Sequence, residues 1–175
     1  MKNLLAATLV AGALALPASA LPAFAHHPGE GAVTSVGEAV SVSHAYTFAN
    51  AGTAHSMRVY LTIENRGDSA VELTGASADF AETVLFEAQT LDGGTLRTAT
   101  AETLSIGAGQ TLTLQPGAVW IELESVKKAF AAGDHFHLDL TFASLGTVEI
   151  EVEVEAPPAA GDHHDHDHDH DESGV

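Results

Sequence analysis

Two hydrophobic patterns divide the chain. Leu4 to Leu16 is an almost unbroken apolar run, whereas from about Val36 onward apolar and polar residues alternate with period two. That alternation predicts strands with one buried face. Val59-Tyr60-Leu61-Thr62-Ile63 runs into the turn signal Asn65-Arg66-Gly67-Asp68, and Val71-Glu72-Leu73 follows. Val84-Leu85-Phe86 leads toward Asp92-Gly93-Gly94, a hairpin signal. Leu104, Ile106, Leu112 and Leu114 alternate around Gly107-Ala108-Gly109, and Pro116-Gly117 turns the chain into Val119–Leu123. Phe136, Leu138, Leu140 and Phe142 alternate with His135, His137, Asp139 and Thr141, and Val148, Ile150, Val152 and Val154 alternate with glutamates. Short strands at this spacing, punctuated by Gly, Pro and Asn, predict an all-β antiparallel sandwich or Greek-key barrel over residues 32–156. Only Ser125–Ala132 reads as a short helical turn. Pro157-Pro158 closes the domain, since proline cannot extend a central strand.

The N-terminal run has Lys2 before it and the small residues Ala18-Ser19-Ala20 and Ala23-Phe24-Ala25 after it. This is the layout of a secretory signal peptide over residues 1–25, too short for a membrane span and followed by Pro17 and Pro22. Cleavage fits after Ala20 or after Ala25; the second leaves His26-His27 at the new terminus. The expectation is a periplasmic or secreted protein with no membrane span after cleavage. The chain has no cysteine, which excludes disulfides, thiolate metal sites and a lipid-modified cysteine. Its formal charge of -18 argues against a nucleic-acid partner.

Charge and histidine converge at the other end. Residues 157–175 hold His163, His164, His166, His168 and His170, interleaved with Asp162, Asp165, Asp167, Asp169 and Asp171. With almost nothing apolar to bury, this tail is expected to be disordered, and its imidazoles to bind a metal ion. Imidazole suits Cu(II), Zn(II) and Ni(II), with Cu(II) the strongest competitor. His26 and His27 are further candidates, because a free amine beside imidazoles grips Cu(II). On the domain, His55-Ser56-Met57 is the sole His-x-Met, and His135 and His137 sit at chelating spacing on one strand face. Each pair has a plainer reading: a surface histidine beside a core methionine, and a solvated strand face.

The segment Val59–Glu155 resembles the periplasmic copper chaperones of the PCuAC type. The resemblance rests on Tyr60-Leu61-Thr62-Ile63-Glu64-Asn65-Arg66-Gly67-Asp68, Leu73-Thr74-Gly75-Ala76-Ser77, Asp92-Gly93, Ile106-Gly107-Ala108-Gly109-Gln110-Thr111, Leu114-Gln115-Pro116-Gly117, and Gly133-Asp134 before Leu138-Asp139-Leu140-Thr141-Phe142. It implies a cupredoxin-like β-sandwich and a role in carrying copper toward respiratory oxidase assembly. The family's copper pattern is a His, a Met eleven positions on, and a His-x-Met pair further along. Anchored on Asp92-Gly93 and Pro116-Gly117, it falls on Glu87, Thr98, Trp120 and Glu122. Thioethers select Cu(I) and carboxylates do not, so the domain is expected to have lost that Cu(I) site. Glu87 and Glu122 pair either as a hard-cation site or, more simply, as a solvated face, and Trp120 packs in the core or rims the old site.

Enzyme signatures are missing: the sequence has no Gly-x-Ser-x-Gly, P-loop, dinucleotide fingerprint or His-Glu-x-x-His. Three readings stand. The first is a copper carrier that collects the ion, Cu(II) rather than Cu(I), through His-rich termini and passes it to an acceptor protein. The second is a zinc or copper buffer or uptake accessory that serves a metal transporter. The third is a non-metal interaction module whose tail confers solubility.

Overall fold

The computed structural model describes residues 32–50 and 55–158. The expected signal peptide, His26, His27 and the five tail histidines lie outside them. Eleven strands follow one another: β1 (Thr34–Val36), β2 (Val40–Phe48), β3 (Ser56–Asn65), β4 (Val71–Ser77), β5 (Thr83–Asp92), β6 (Thr95–Ala101), β7 (Leu104–Ile106), β8 (Thr111–Leu114), β9 (Val119–Glu124), β10 (His135–Phe142) and β11 (Gly146–Glu155). No helix occurs among the described residues.

Strand β3 belongs to two sheets. Its first half, Ser56–Val59, pairs with β9, which continues through β5 to the edge strand β6. Its second half pairs with β8 on one side and β2 on the other, and that sheet continues through β11, β10 and β4 to β7. Every pairing is antiparallel except β11 with β2, where Glu153, Val154 and Glu155 run parallel to Tyr46, Thr47 and Phe48. The last strand thus lies inside the larger sheet, between β2 and β10, which departs from the purely antiparallel expectation. A parallel pair needs a long crossover, and here everything from β3 to β10 supplies it.

The alternating residues meet in one core. Val59, Leu61 and Ile63 of β3 pack with Leu73, Ile121, Leu123, Leu138, Leu140, Ile150 and Val152, all essentially without solvent contact. At about 25 cal/mol per Å2, each such side chain contributes roughly 1.5–3 kcal/mol over its exposed state. Asn65 ends β3 inside this core. Its amide Nδ2 donates to the carbonyls of Ser69, Ile106 and Gly107 at 2.9–3.0 Å, and its Oδ1 accepts from Gly67 N at 3.0 Å. One side chain therefore ties the β3–β4 turn to the end of β7.

Two local departures from regular strand geometry set the surroundings of the site. Strand β2 bulges at His44, which adopts a positive φ of 52°, and its register against β3 slips between Ser43 and Tyr46. The extra residue reverses the alternation. Val40 and Val42 point into the core before it, Ala45 and Thr47 after it, and Tyr46 and Phe48 are turned to the opposite face. Thr47 Oγ1 then donates to the Arg58 carbonyl at 2.8 Å, a side-chain bond across the two strands beyond the slip. Second, Ser125–Ala132 is not the helical turn that its sequence suggests. Val126 and Phe130 are buried like residues on a helix face, but Asn50 captures the backbone instead: Phe130 N donates to Asn50 Oδ1 at 2.6 Å, and Asn50 Nδ2 donates to the Lys128 carbonyl at 3.3 Å.

Candidate functional site

The four positions onto which the sequence resemblance maps the family's copper pattern share one face of the smaller sheet. Glu87 of β5 stands directly opposite Trp120 of β9 and Thr100 of β6, while Glu122 stands opposite Leu85 and Arg58. Thr98 lies two residues from Thr100, on the same side. Residues opposite one another in an antiparallel pair share a face, so Glu87, Thr98, Trp120, Glu122, Arg58 and Tyr60 form one surface. The register that the sequence resemblance implied places the positions together as a binding site would require.

Their chemistry is different. A cation is already seated there, and it belongs to the protein. Arg58 Nε lies 3.1 Å from Glu122 Oε2, and its guanidinium carbon lies 4.7 Å from the Trp120 ring centroid. Trp120 Nε1 donates to the same Glu122 oxygen at 2.7 Å. Glu122 thus accepts from both neighbours, and Arg58 covers the indole, which is only 2% exposed although it lies outside the core cluster. Trp120 rims the site rather than joining the core. Glu87 accepts from Thr100 Oγ1 at 2.8 Å. No imidazole or thioether stands at any of the four positions, so the donor set does not fit Cu(I), and the guanidinium neutralises the negative charge that Glu122 would otherwise offer a metal.

Next to this cluster the bulge has delivered Tyr46 and Phe48. With Tyr60 they form an aromatic trio, ring centroids 5.1–6.0 Å apart. Burial pushes the Tyr60 phenol up, an effect that Arg58 opposes, and burial with nearby Glu155 raises Tyr46. At the far end, the β5–β6 hairpin turns through Gly93 and Gly94, both with positive φ as a two-residue hairpin demands. Its cross-strand leucines, Leu91 and Leu96, are 71% and 66% exposed on the same face.

The other domain candidates divide. His55 lies just before β3 and is exposed, whereas Met57 is buried in the core, so the two side chains do not come together. His44 is exposed at the bulge, with Nδ1 3.2 Å from Ser43 Oγ. His135 and His137 do share a face: both are exposed on β10, opposite Glu153 and Glu151 of β11, and His137 Nδ1 lies 3.8 Å from Glu149 Oε1. Among the described residues no three His, Asp or Glu side chains converge as a metal site, and no helix is long and apolar enough to cross a membrane. Sequence spacing alone does not single out Arg58; its partner Glu122 is 64 residues away.

Comparison with solved structures places the fold. The copper-bound PCuAC domain from PmoF2 matches with a TM-score of 0.63 at 21% identity, over 72% of this chain and 99% of that one. Apo-DR1885 from Deinococcus radiodurans matches at 0.55 and 23% identity, over 83% and 97%. Its Cu(I) form matches at 0.54 and 24%, over 63% and 74%. The chain therefore has the cupredoxin-like sandwich of PCuAC domains, as the sequence resemblance implied. No curated protein matches it. Residues 40–154 match the family described as "Putative lipoprotein LpqE-like". No cysteine is present among these 175 residues to accept a thioether-linked lipid. With most of its length inside that family match, the chain belongs to the LpqE-like family.

Proposed function

We propose that this protein is an exported copper carrier that holds the ion outside its sandwich, on the imidazoles of its two ends, and passes it to an acceptor protein. The observation that carries this reading is the Arg58–Glu122–Trp120 cluster. It fills the face onto which the family's copper pattern maps, and it leaves no soft donor there. Of the 11 histidines, His44, His55, His135 and His137 belong to the described sandwich, and the other seven, His26, His27, His163, His164, His166, His168 and His170, lie outside the described residues. The fold likeness to copper-binding PCuAC domains supports copper as cargo, and the imidazole–carboxylate chemistry of the tail supports Cu(II) over Cu(I). Zinc buffering is the second reading, favoured by the same imidazoles. The acceptor on the carrier reading is a respiratory oxidase or its assembly machinery.

The test is elemental analysis of exported protein purified without a metal-affinity resin, followed by Cu(I), Cu(II) and Zn(II) competition. Copper in the purified protein, with Cu(II) bound tightly and lost on replacing the tail histidines, supports the reading. Tight Cu(I) binding that survives this replacement overturns it, and zinc alone in the purified protein moves the assignment to the buffer. Imidazole must be neutral to bind, so affinity falls as pH drops below about 6.5.

A further inference from the structure

We propose that β6 is a docking edge for a second copy of this chain: two β6 strands pair antiparallel about Thr98 and join the two smaller sheets into one. This goes beyond copper carriage and needs no metal. Strand β6 ends the smaller sheet, so one side of its backbone has no strand partner among the described residues. It is 7 residues long, whereas β7, at the other end of the strand order, has 3. Natural sheets guard such an edge with lysine, proline, a bulge or shortness. Thr95-Leu96-Arg97-Thr98-Ala99-Thr100-Ala101 has no lysine and no proline, keeps an unbroken register with β5, and is exposed from Thr95 to Thr100. The hairpin also outruns its support. Strand β9 pairs with β5 only as far as Ala88, so among the described residues Thr90–Asp92 has β6 as its sole strand neighbour. A two-stranded ribbon is marginal alone in water, and this one exposes Leu91 and Leu96 near its tip.

The turn decides which backbone groups face outward. Gly93-Gly94 is a two-residue loop, so Asp92 and Thr95 flank it as a hydrogen-bonded pair, and alternate pairs beyond them are alike. Thr95, Arg97, Ala99 and Ala101 therefore turn their N–H and C=O groups toward β5, and Leu96, Thr98 and Thr100 turn theirs to the open edge. A two-fold axis through Thr98 sets Thr98 opposite Thr98 of the second copy and Leu96 opposite Thr100 of the second copy. Each outward N–H and C=O then meets its complement along the whole strand. Leu96, already beside Leu91, packs on the Thr100 methyl, and the two Thr98 side chains form a Thr–Thr pair. Sliding the copies two residues toward the turn sets Arg97 against Arg97, which like charge opposes. Charge also selects the occupant. The chain carries -18, so copies repel one another, yet residues 88–101 hold only Asp92 and Arg97 and are neutral. Two copies approach there at least electrostatic cost. One strand edge is a small contact, at the weak end of specific interfaces, so the dimer belongs to high protein concentration.

The experiment is sedimentation of the full chain from about 10 μM to about 1 mM, the span in which weak contacts form. A metal chelator is present throughout, so bridging by histidine-bound ions contributes nothing and the outcome is independent of the carrier reading. The expected result is a concentration-dependent dimer. T98K and T98E should each weaken it by about fivefold, the upper range of a cross-strand pair, and an equimolar mixture of the two should restore it. Thr98 is exposed, so unchanged melting of both variants confirms an intact fold. Paired Thr98 positions lie about 5.5 Å apart between Cα atoms, within the roughly 4.4–6.8 Å that a disulfide spans. The chain has no cysteine of its own, so T98C should cross-link to a dimer under mild oxidation while the equally exposed T90C does not. A parent that stays monomeric throughout overturns the proposal. So does a dimer that T98K leaves unchanged, or one that cross-links no better through T98C than through T90C.

Discussion

Replacing Arg58 by Ala tests whether the guanidinium seals Trp120 or merely lies near it. The substitution removes an ion pair to Glu122, a cation–π contact and the cover over an indole that is 2% exposed. Arg58 itself is 57% exposed, so the ion pair is screened and is worth about 0.5–1 kcal/mol. The cation–π contact adds about 0.5–1 kcal/mol at such a site. Uncovering part of the indole, at about 25 cal/mol per Å2 of apolar surface, adds about 1 kcal/mol. The sum is about 2–3 kcal/mol, or roughly 10 °C in Tm for a domain of this size. Trp120 is the chain's single tryptophan, so its emission reports the site directly. We expect R58A to shift that emission to the red and to lower the urea midpoint with an unchanged slope. R58K should fall between, since an ammonium keeps the charge but not the planar stacking. A double-mutant cycle with E122Q should give a coupling of about 0.5–1 kcal/mol. Unshifted emission together with a loss under about 0.5 kcal/mol, within the range of an ordinary surface substitution, would falsify the claim that Arg58 is the resident cation of this face.

Other side chains give equally direct tests. Asn65→Ala strands the carbonyls of Ser69, Ile106 and Gly107 and should cost about 2–4 kcal/mol by denaturant titration, several times an average surface change. His44→Gly relieves a positive φ of 52° and should raise stability by about 0.5–1 kcal/mol, read as a higher melting temperature; a drop there means that the imidazole makes a stabilising contact. The hydrogen bond from Arg66 holds the Glu64 carboxyl below its usual range, and Lys127 does the same for Glu82. With folded values below unfolded ones, both pairs stabilise above the ordinary carboxylate range of about 4–4.5 and lose that contribution as pH falls through the folded values. Pairs this exposed are screened by salt, so the acid-side loss should shrink in high salt, as a pH series of melts will show.

The sandwich was legible because strands such as β10 and β11 keep strict alternation. Phe136, Leu138, Leu140 and Phe142 all turned inward, leaving His135 and His137 outside as their parity requires. The bulge in β2 was written more faintly: the inward positions pass from the even Val40 and Val42 to the odd Ala45 and Thr47, a parity change that one extra residue must produce. Ser125–Ala132 misled because helix-favouring residues and an i, i+4 pair of buried side chains suit a helix equally well. The deciding partner, Asn50, lies 80 residues from Phe130, beyond any local window. The same distance problem hid Arg58. Sequence spacing exposed the loss of soft ligands at Glu87, Thr98, Trp120 and Glu122, but only the β3–β9 register identified what took the ion's place.

The parallel contact between β2 and β11 has a bearing on how the chain reaches this shape. The final strand fills a slot between two strands made earlier, so the larger sheet remains split until β11 arrives. Closing a pairing between the first and last thirds of the polypeptide is slow, because loop entropy must be lost before the ladder rewards it. A molecule emerging from a synthesis or translocation channel therefore stays open along that seam almost to its end. Stalling it before Gly146 should leave β2 and β10 with bare edges and an aggregation-prone intermediate.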